Sequence, residues 1–300
     1  MLTLTILGNN SAIPIFGRKP TAQVLQCGEE SYLIDCGEGT QLQFDKYKIK
    51  KNKINRIFIS HLHGDHYFGL IGLIASMSLA SRKNDLHIYA PALLEQIIKL
   101  QLEAANTTLT YSLYFHAINE EGEIANDNKI KVEAFSVTHR ITCWGFKFTE
   151  KKNPRKIVLE KVKAYEIPEA FYRELQKGKD YTTKKGTIIN NESVTDAAEP
   201  ARSYAYCADT LYDENIVPKI KGSQVIYHET TYLKDAEIKA GERFHSTTVQ
   251  AGNIAKLCGT ERLLIGHFSS KYEKLDDFLI ETKEVFENTE LAEEGVCFVI

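Results

Sequence analysis

Residues 61–66 read His-Leu-His-Gly-Asp-His, three imidazoles and a carboxylate within six positions. They follow Ile57, Phe58 and Ile59, an apolar run bounded by Asn55 and Ser60 that reads as a buried strand. His61 and His63, spaced i, i+2 in extended chain, project to one side and can turn both imidazoles on one ion. Asp65 and His66 stand where a turn enters a helix and can face a second ion beside the first, with Gly64 giving the backbone room to bend between the pairs. Imidazoles and carboxylates are common zinc ligands, and two adjacent ligand sets are what a two-metal hydrolytic site needs. The alternative is a polar turn that is merely rich in histidine. It leaves unexplained why four such groups crowd six positions directly after an apolar strand.

Further groups of the same kind fall at the ends of other expected strands. LTLTILG (2–8) alternates as a strand, and TAQVLQCG and SYLIDCG form a hairpin around Gly28-Glu29-Glu30. The second arm of that hairpin ends in Asp35, which could orient a ligand histidine from behind or simply cap the helix that follows. An apolar helix is expected over 67–82, a strand over 86–91, a helix starting on Pro91, and strands over 111–118 and 129–140. His139 closes the last of these and is the natural third imidazole for His61 and His63. RSYAYCADT (202–210) delivers Asp209 at a strand end, a position suited to a carboxylate that bridges two ions. SQVIYHETTY (223–232) presents His228 and Glu229, RFHSTT places His245 just before a helix capped by Ser246 or Thr247, and ERLLIGH ends a buried strand on His267. A helix over 274–287 and the strand GVCFVI close the chain. His87 and His116 belong to none of these patterns and read as structural or surface residues.

With 300 residues, 43% of them hydrophobic and 26% charged, the chain has the composition of a soluble globular protein able to bury a large core. No apolar run approaches the roughly 18 residues of a membrane helix, and MLTLTILGNN lacks the features of a secretory signal. Six cysteines without paired spacing read as reduced thiols, and a cytoplasmic location is expected. The net charge of −3 speaks against a generally basic nucleic-acid binder, but the distribution is uneven. Residues 151–185 hold eleven Lys or Arg against five Asp or Glu, a surplus of +6 that leaves −9 for the remainder. Another basic run spans Lys46 to Arg56. Such patches on an acidic body suit an anionic polymer lying along one face, although each run alone could be ordinary solvated surface. Residues 151–192 also break the rhythm of strands and helices, with Pro154, Pro168, one helical patch (IPEAFYRELQKG) and no convincing strand before Thr187, so a projecting insertion is expected there.

The HxHxDH pattern resembles the metallo-β-lactamase superfamily. Its extension HLHGDHYFGLIGL, together with DCGEGTQ, HETTY, HSTT and GHFSS, resembles ribonuclease Z over nearly the whole chain. That resemblance implies an α/β fold, the four-layer αββα metallo-β-lactamase sandwich, forming a single domain over 1–300 with an inserted flexible tRNA-binding arm at 151–192. It implies two Zn²⁺ (or Mn²⁺) ions, one held by His61, His63 and His139, the other by Asp65, His66 and His267, with Asp209 bridging. Asp35 and His228 would support the site, Asp65 would help orient or deprotonate the attacking water, and His245 paired with Glu229 would protonate the leaving oxygen. The implied activity is removal of the 3′ trailer from precursor tRNA, leaving a tRNA 3′-hydroxyl and a 5′-phosphate on the trailer, by a homodimer. Candidate RNA contacts are Arg18 and Lys19 in the loop after the first strand, and Lys151, Lys152, Arg155 and Lys156 in the arm. The arm of such proteins usually carries a Gly-Pro motif, where this chain has Ile167-Pro168-Glu169-Ala170. A general phosphodiesterase of the same fold, or a catalytically silent RNA-binding subunit, are the competing readings. A silent subunit would be expected to lack ligands, and all seven are present.

Overall fold

A computed structural model describes residues 2–151, 154–198 and 200–300. The chain divides into two compact units, one formed by Met1–Thr149 with Arg202–Ile300, the other by Glu150–Ala201.

The larger unit contains two seven-stranded sheets. In the first, β1 (Leu2–Gly8), β2 (Ala22–Cys27), β3 (Glu30–Ile34), β4 (Ile54–Phe58), β5 (Leu86–Ala90) and β6 (Leu113–Ala117) lie side by side in chain order. The second contains β7 (Gly122–Asn126), β8 (Ile130–Val137), β9 (Cys143–Glu150), β10 (Ser203–Cys207), β11 (Val225–Glu229), β12 (Arg262–Gly266) and β13 (Thr289–Leu291). The closing strand β14 (Cys297–Val299) returns to the outer side of β1. Strands β3 to β6 run parallel, as do β10 to β13.

Alternation along β1 explains the layering. Leu2, Leu4 and Ile6 point into a core shared with Phe146, Phe148, Tyr204, Tyr206 and Tyr227 of the second sheet, whereas Leu7 points outward. On that outer face Val24, Leu33, Ile57 and Ile88 pack against helices Thr40–Lys46, Leu70–Leu79 and Leu93–Ala104. Helices Thr248–Cys258 and Asp276–Val285 accompany the second sheet through Ala251, Ile254 and Phe278. The result is the four-layer αββα sandwich of the metallo-β-lactamase fold. All five residues of β10 are buried, as expected of a central strand covered on both sides.

Several elements differ from expectation for identifiable reasons. The helix read over 67–82 splits into a single turn, Gly64–Tyr67, and a helix from Leu70 to Leu79. The break falls where the Gly69 N–H donates to the Cys36 carbonyl at 2.9 Å, and a Cβ on Gly69 would lie 2.2 Å from the Gly37 carbonyl oxygen. Strand β7, with the weakly apolar sequence GEIAN, carries no sequence signal and forms by pairing with β8. Thr247 is the helix cap: its hydroxyl accepts from the Gln250 N–H while the Gln250 side chain accepts from the Thr247 N–H. Five cysteines are buried, Cys297 is exposed, and all six are free thiols.

The smaller unit, Glu150–Ala201, has an apolar core of its own made of Val162, Ile167, Leu175, Ile189 and Val194. It runs past residue 192 because Val194 joins that core and Thr195–Asp196 pairs back on Lys156–Ile157. A hairpin joins Tyr181–Thr182 to Ile188–Ile189, a strand before Thr187 that the sequence did not suggest. Lys152 lies outside the described residues. Among the described residues no helix is long and apolar enough to cross a membrane.

Candidate active site

The chemistry-bearing residues converge at strand ends of both sheets, all but the one that carries His139 belonging to the parallel sets. His61 and His63 follow β4, Asp35 follows β3, and His139 follows β8. Asp209 follows β10, Glu229 ends β11 and His267 follows β12. Carboxyl ends of parallel strands are where open α/β sheets place their ligands. Here two sheets contribute such ends to one cluster.

His61, His63, His139 and Asp209 form one group whose ligand atoms all lie within 4.8 Å of one another, and Asp65, His66, Asp209 and His267 form a second. In the first, Nδ1 of His63 lies 3.0 Å from Nε2 of His61 and 3.1 Å from Nε2 of His139. In the second, Nε2 of His66 and of His267 approach Oδ1 of Asp209 at 3.3 and 3.2 Å, and Oδ2 of Asp65 at 3.7 and 3.4 Å. Asp209 turns its other oxygen, Oδ2, toward His61 at 3.7 Å. One carboxylate therefore offers one oxygen to each group.

The far sides of the imidazoles are tied to fixed partners, which sets both ring orientation and tautomer. Nδ1 of His66 lies 2.7 Å from Oδ2 of Asp35, Nδ1 of His61 lies 3.0 Å from the Ser60 hydroxyl, and Nδ1 of His267 lies 2.9 Å from the Thr231 hydroxyl. His139 donates from Nδ1 to the Phe244 carbonyl at 2.9 Å. Asp35 is fully buried and is the hub of this support. It also accepts from the Ser60 N–H (2.7 Å), the Ser60 hydroxyl (2.8 Å) and the Tyr206 hydroxyl (2.6 Å), so it orients the His66 imidazole and caps no helix. Ala12 donates its N–H to Oδ2 of Asp65 at 2.7 Å. Ala12, Asp35, Phe244 and His267 all adopt positive φ, from 54° to 66°, a region that non-glycine residues enter at a cost of order 1 kcal/mol or more. Each of the four is at, or bonded directly to, a residue of the two groups.

The electrostatics ask for positive charge. Burial favours the neutral imidazole at His66, but the carboxylates of Asp209, Asp65 and Asp35 outweigh it and hold the group well above its ordinary value. Burial raises Asp209, yet His267 and His66 overcome that and hold it well below the usual carboxylate range. His61, buried and beside His66, is pushed well down and stays a neutral donor. Nε2 of His66 and Oδ1 of Asp209 are buried without a hydrogen-bond partner, which is costly unless something else meets them. Five imidazoles and two carboxylates with such orphaned atoms fit divalent cations of the zinc or manganese type.

Glu229, His245 and His267 also come within 4.8 Å of one another. This third group is not built as a cation site, because the Glu229 carboxylate is already filled by donors. It accepts from the N–H groups of Thr210, Thr231 and Ser246, from the Thr231 hydroxyl, and from Nδ1 of His245 at 2.8 Å. Burial would lower His245, but the Glu229 carboxylate raises it to about 9. His245 therefore holds a proton on Nδ1 toward Glu229 and turns Nε2 to the cleft. His228, the residue before Glu229 in β11, points to the opposite face and donates from Nδ1 to the Glu229 carbonyl.

A ribonuclease Z of Bacteroides thetaiotaomicron is 40% identical over 299 residues, covering 99% of this chain and 95% of the relative. The chain belongs to the ribonuclease Z family. Residues 2–154 belong as well to the family described as Anti-Pycsar protein Apyc1. Among solved structures, human tRNase Z, short form, superposes with a TM-score of 0.73 at 27% identity over 99% of both chains. The metallo-β-lactamase fold protein YhfI of Bacillus subtilis, 20% identical with a TM-score of 0.70 over 99% of this chain and 98% of its own, shares the fold.

The remaining sequence candidates of this chain are distributed unevenly. Arg18 spends its guanidinium on the Asn10 side chain and on the carbonyls of Tyr272 and Glu273, fastening the loop that carries Ala12. The stem of Lys19 lies over Gly39. Lys151, Arg155 and Lys156 belong to the smaller unit, where Arg155 donates to the Thr195 hydroxyl. Sequence reasoning missed Ser60, Thr231 and Tyr206, whose hydroxyls also reach Asp35 or His267 from far along the chain. It also missed Arg140 and Phe68, which line the cleft of about 430 Å³ together with His63, Asp65, Asp209 and His245. Arg140 follows His139 directly, and that adjacency was the available signal.

Proposed function

We infer that this chain is a metal-dependent endoribonuclease that removes the 3′ trailer from precursor tRNA and leaves a tRNA 3′-hydroxyl. The single observation that carries a two-cation site is Asp209, whose oxygens divide between the two ligand groups. On this reading His61, His63 and His139 hold one Zn²⁺, Asp65, His66 and His267 the other, and Asp209 both, with Mn²⁺ as the alternative ion. When bound, the cations would supply a Lewis-acid clamp on the phosphate and a water acidic enough to attack it.

The chain's own groups do the rest. The bond from phosphorus to the upstream 3′-oxygen breaks, and that oxygen takes the proton from Nε2 of His245. Glu229 keeps the imidazole charged before transfer and fixed in direction. Asp65, with Oδ2 engaged by Ala12 and His267, retains Oδ1 to orient the water or accept its proton. Arg140, exposed at the mouth of the cleft, offers a cation to the phosphate chain. The smaller unit is the proposed tRNA-binding arm on an otherwise single 1–300 domain. A cytoplasmic homodimer is the arrangement that family analogy supports.

The test joins metal analysis to cleavage of a precursor tRNA with mapping of the new 3′ end. Chelation should abolish cleavage at the trailer junction and Zn²⁺ or Mn²⁺ restore it. His245→Ala should keep its metal and RNA affinity while losing roughly 10²- to 10⁴-fold in the cleavage step. Loss of metal in that variant would remove His245 from the proton-transfer role. Hydrolysis of bis(p-nitrophenyl) phosphate without any cleavage of precursor tRNA would favour the general phosphodiesterase. Sedimentation of the purified protein tests the dimer.

A further inference from the structure

Phe68 stands two residues after His66, lines the same cleft as His63, Asp65, Asp209 and His245, and is 61% exposed. An exposed large aromatic ring is ordinarily a packing loss, and its place beside a charged cluster calls for a reason. The ring is not loose. A Cβ on Gly64 would lie 2.2 Å from Cε2 of Phe68 and 2.6 Å from Cδ2 and Cζ, so the ring lies directly on the Gly64 backbone, and Tyr67 meets it edge-on at 5.0 Å between centroids. Gly64 is thus needed for its missing side chain, which would occupy the space the ring fills. Ile13, 49% exposed on the loop that carries Ala12, extends the apolar rim of the cleft. Across the same cleft Arg140 meets no carboxylate among the described residues. A fixed aromatic face, an apolar flank and an unclaimed guanidinium beside the reacting groups match a nucleotide: a ring to stack on the base and a cation for its phosphate.

We propose that Phe68 is the stacking platform for a nucleobase flanking the scissile phosphate, and that it positions the substrate strand across the cleft. This rests on the ribonuclease reading above. A protein partner covering the rim is the competing use of an exposed ring. The nucleobase is favoured because the ring shares its cleft with the proposed proton donor and metal ligands.

The experiment compares wild type, Phe68→Ala, Phe68→Leu and Phe68→Trp on precursor tRNAs in which one or the other nucleotide flanking the scissile phosphate is abasic, with metal content measured for each protein. Removing one base–aromatic stack should cost about five- to 150-fold in single-turnover kcat/KM. Alanine and leucine should both show that loss on the natural substrate, and tryptophan should not. With the abasic residue at one of the two positions, wild type and Phe68→Ala should become equal. Full activity of Phe68→Leu, or an undiminished penalty for Phe68→Ala at both abasic positions, would overturn the proposal and leave Phe68 as packing. Failure of the wild type to cleave precursor tRNA would refute the underlying ribonuclease reading instead.

Discussion

Asp35→Asn is the most informative single substitution because it changes charge and donor pattern without changing shape. Asp35 accepts four hydrogen bonds, three of them on Oδ2, from His66, Tyr206 and the Ser60 hydroxyl. With asparagine, Oδ1 can still take the Ser60 N–H, and the amide nitrogen then faces those three groups. The hydroxyls of Tyr206 and Ser60 can rotate and accept. His66 cannot rotate in that sense. To accept at Nδ1 it must carry its proton on Nε2, the atom that points at Asp209 from 3.3 Å. A protonated Nε2 cannot ligate a cation.

Partners of this kind typically account for 10- to 100-fold in metal affinity, or about 1.4–2.7 kcal/mol. The loss should fall mainly on the Asp65–His66–His267 group, because Asp35 reaches the other group only through Ser60 and His61. Asp35→Ala would be less informative, since it strands buried donors at about 1–3 kcal/mol each. The assay is metal bound per chain after equilibration against graded chelator, with circular dichroism as the fold control. If Asp35→Asn released its second equivalent of metal at the same chelator strength as wild type, either His66 is not a ligand or Asp35 does not set its tautomer.

Asp209→Ala removes the carboxylate shared by both groups, so atomic analysis should find both equivalents of metal depleted and cleavage reduced at least as far as in any other single ligand variant; retention of two ions at wild-type rate would sink the bridging assignment. Glu229→Gln removes the carboxylate that raises His245, so its proton is lost at lower pH. The basic limb of the rate profile should move down by about one pH unit or more, and an unmoved limb would exclude this pair as the proton source. In the smaller unit, Lys184 and Lys185 occupy the exposed turn of the Tyr181–Ile189 hairpin and meet no carboxylate among the described residues, whereas Lys177 and Lys179 are paired with Glu174. Replacing Lys184 and Lys185 by Ala should flatten the log–log salt dependence of precursor-tRNA binding by about one to two, while hydrolysis of a small phosphodiester stays unchanged.

Most of the proposed ligands were legible as candidates because they stand at or just past the point where an apolar strand gives way to polar residues, and that transition survives in one dimension. The role of Asp35 was half legible: its position at a strand end was clear, but capping and orienting use the same local signal. Tyr206 was not legible, and Ser60 and Thr231 only in part, because the partners of these hydroxyls include Asp35 and His267, which are distant in sequence and meet them only in the fold. Tyr206 and Asp35 are 171 positions apart. Arg18 is the converse case. Its charge suggested phosphate, but the fold supplies three oxygens for it within the protein. The smaller unit read as a projecting insertion without convincing strands before Thr187 because its strands are two residues long, too short for any period to register.

Every proposed ligand, together with Glu229 and His245, belongs to the larger unit, while the +6 surplus of residues 151–185 belongs to the smaller one. The smaller unit has its own core and joins the rest of the chain through Glu150 and Ala201. Its surface can therefore change without moving a strand end that carries a ligand. Short-range chemistry depends on atoms fixed to a few tenths of an ångström by buried hydrogen bonds, and tolerates little drift. A phosphate-binding surface depends on summed charge over roughly a Debye length, and tolerates a good deal. The departure from the usual arm motif, Ile167-Pro168-Glu169-Ala170, lies on the tolerant side of that division: Ile167 is buried in the small core, and Glu169 opens the short turn that leads into Tyr172–Gln176. A chain divided in this way can alter how it holds RNA while the cleavage site stays the same, so differences in substrate preference among its relatives should map to the smaller unit and to the rim residues Ile13, Phe68 and Arg140, and differences in metal dependence to Asp35 and its partners.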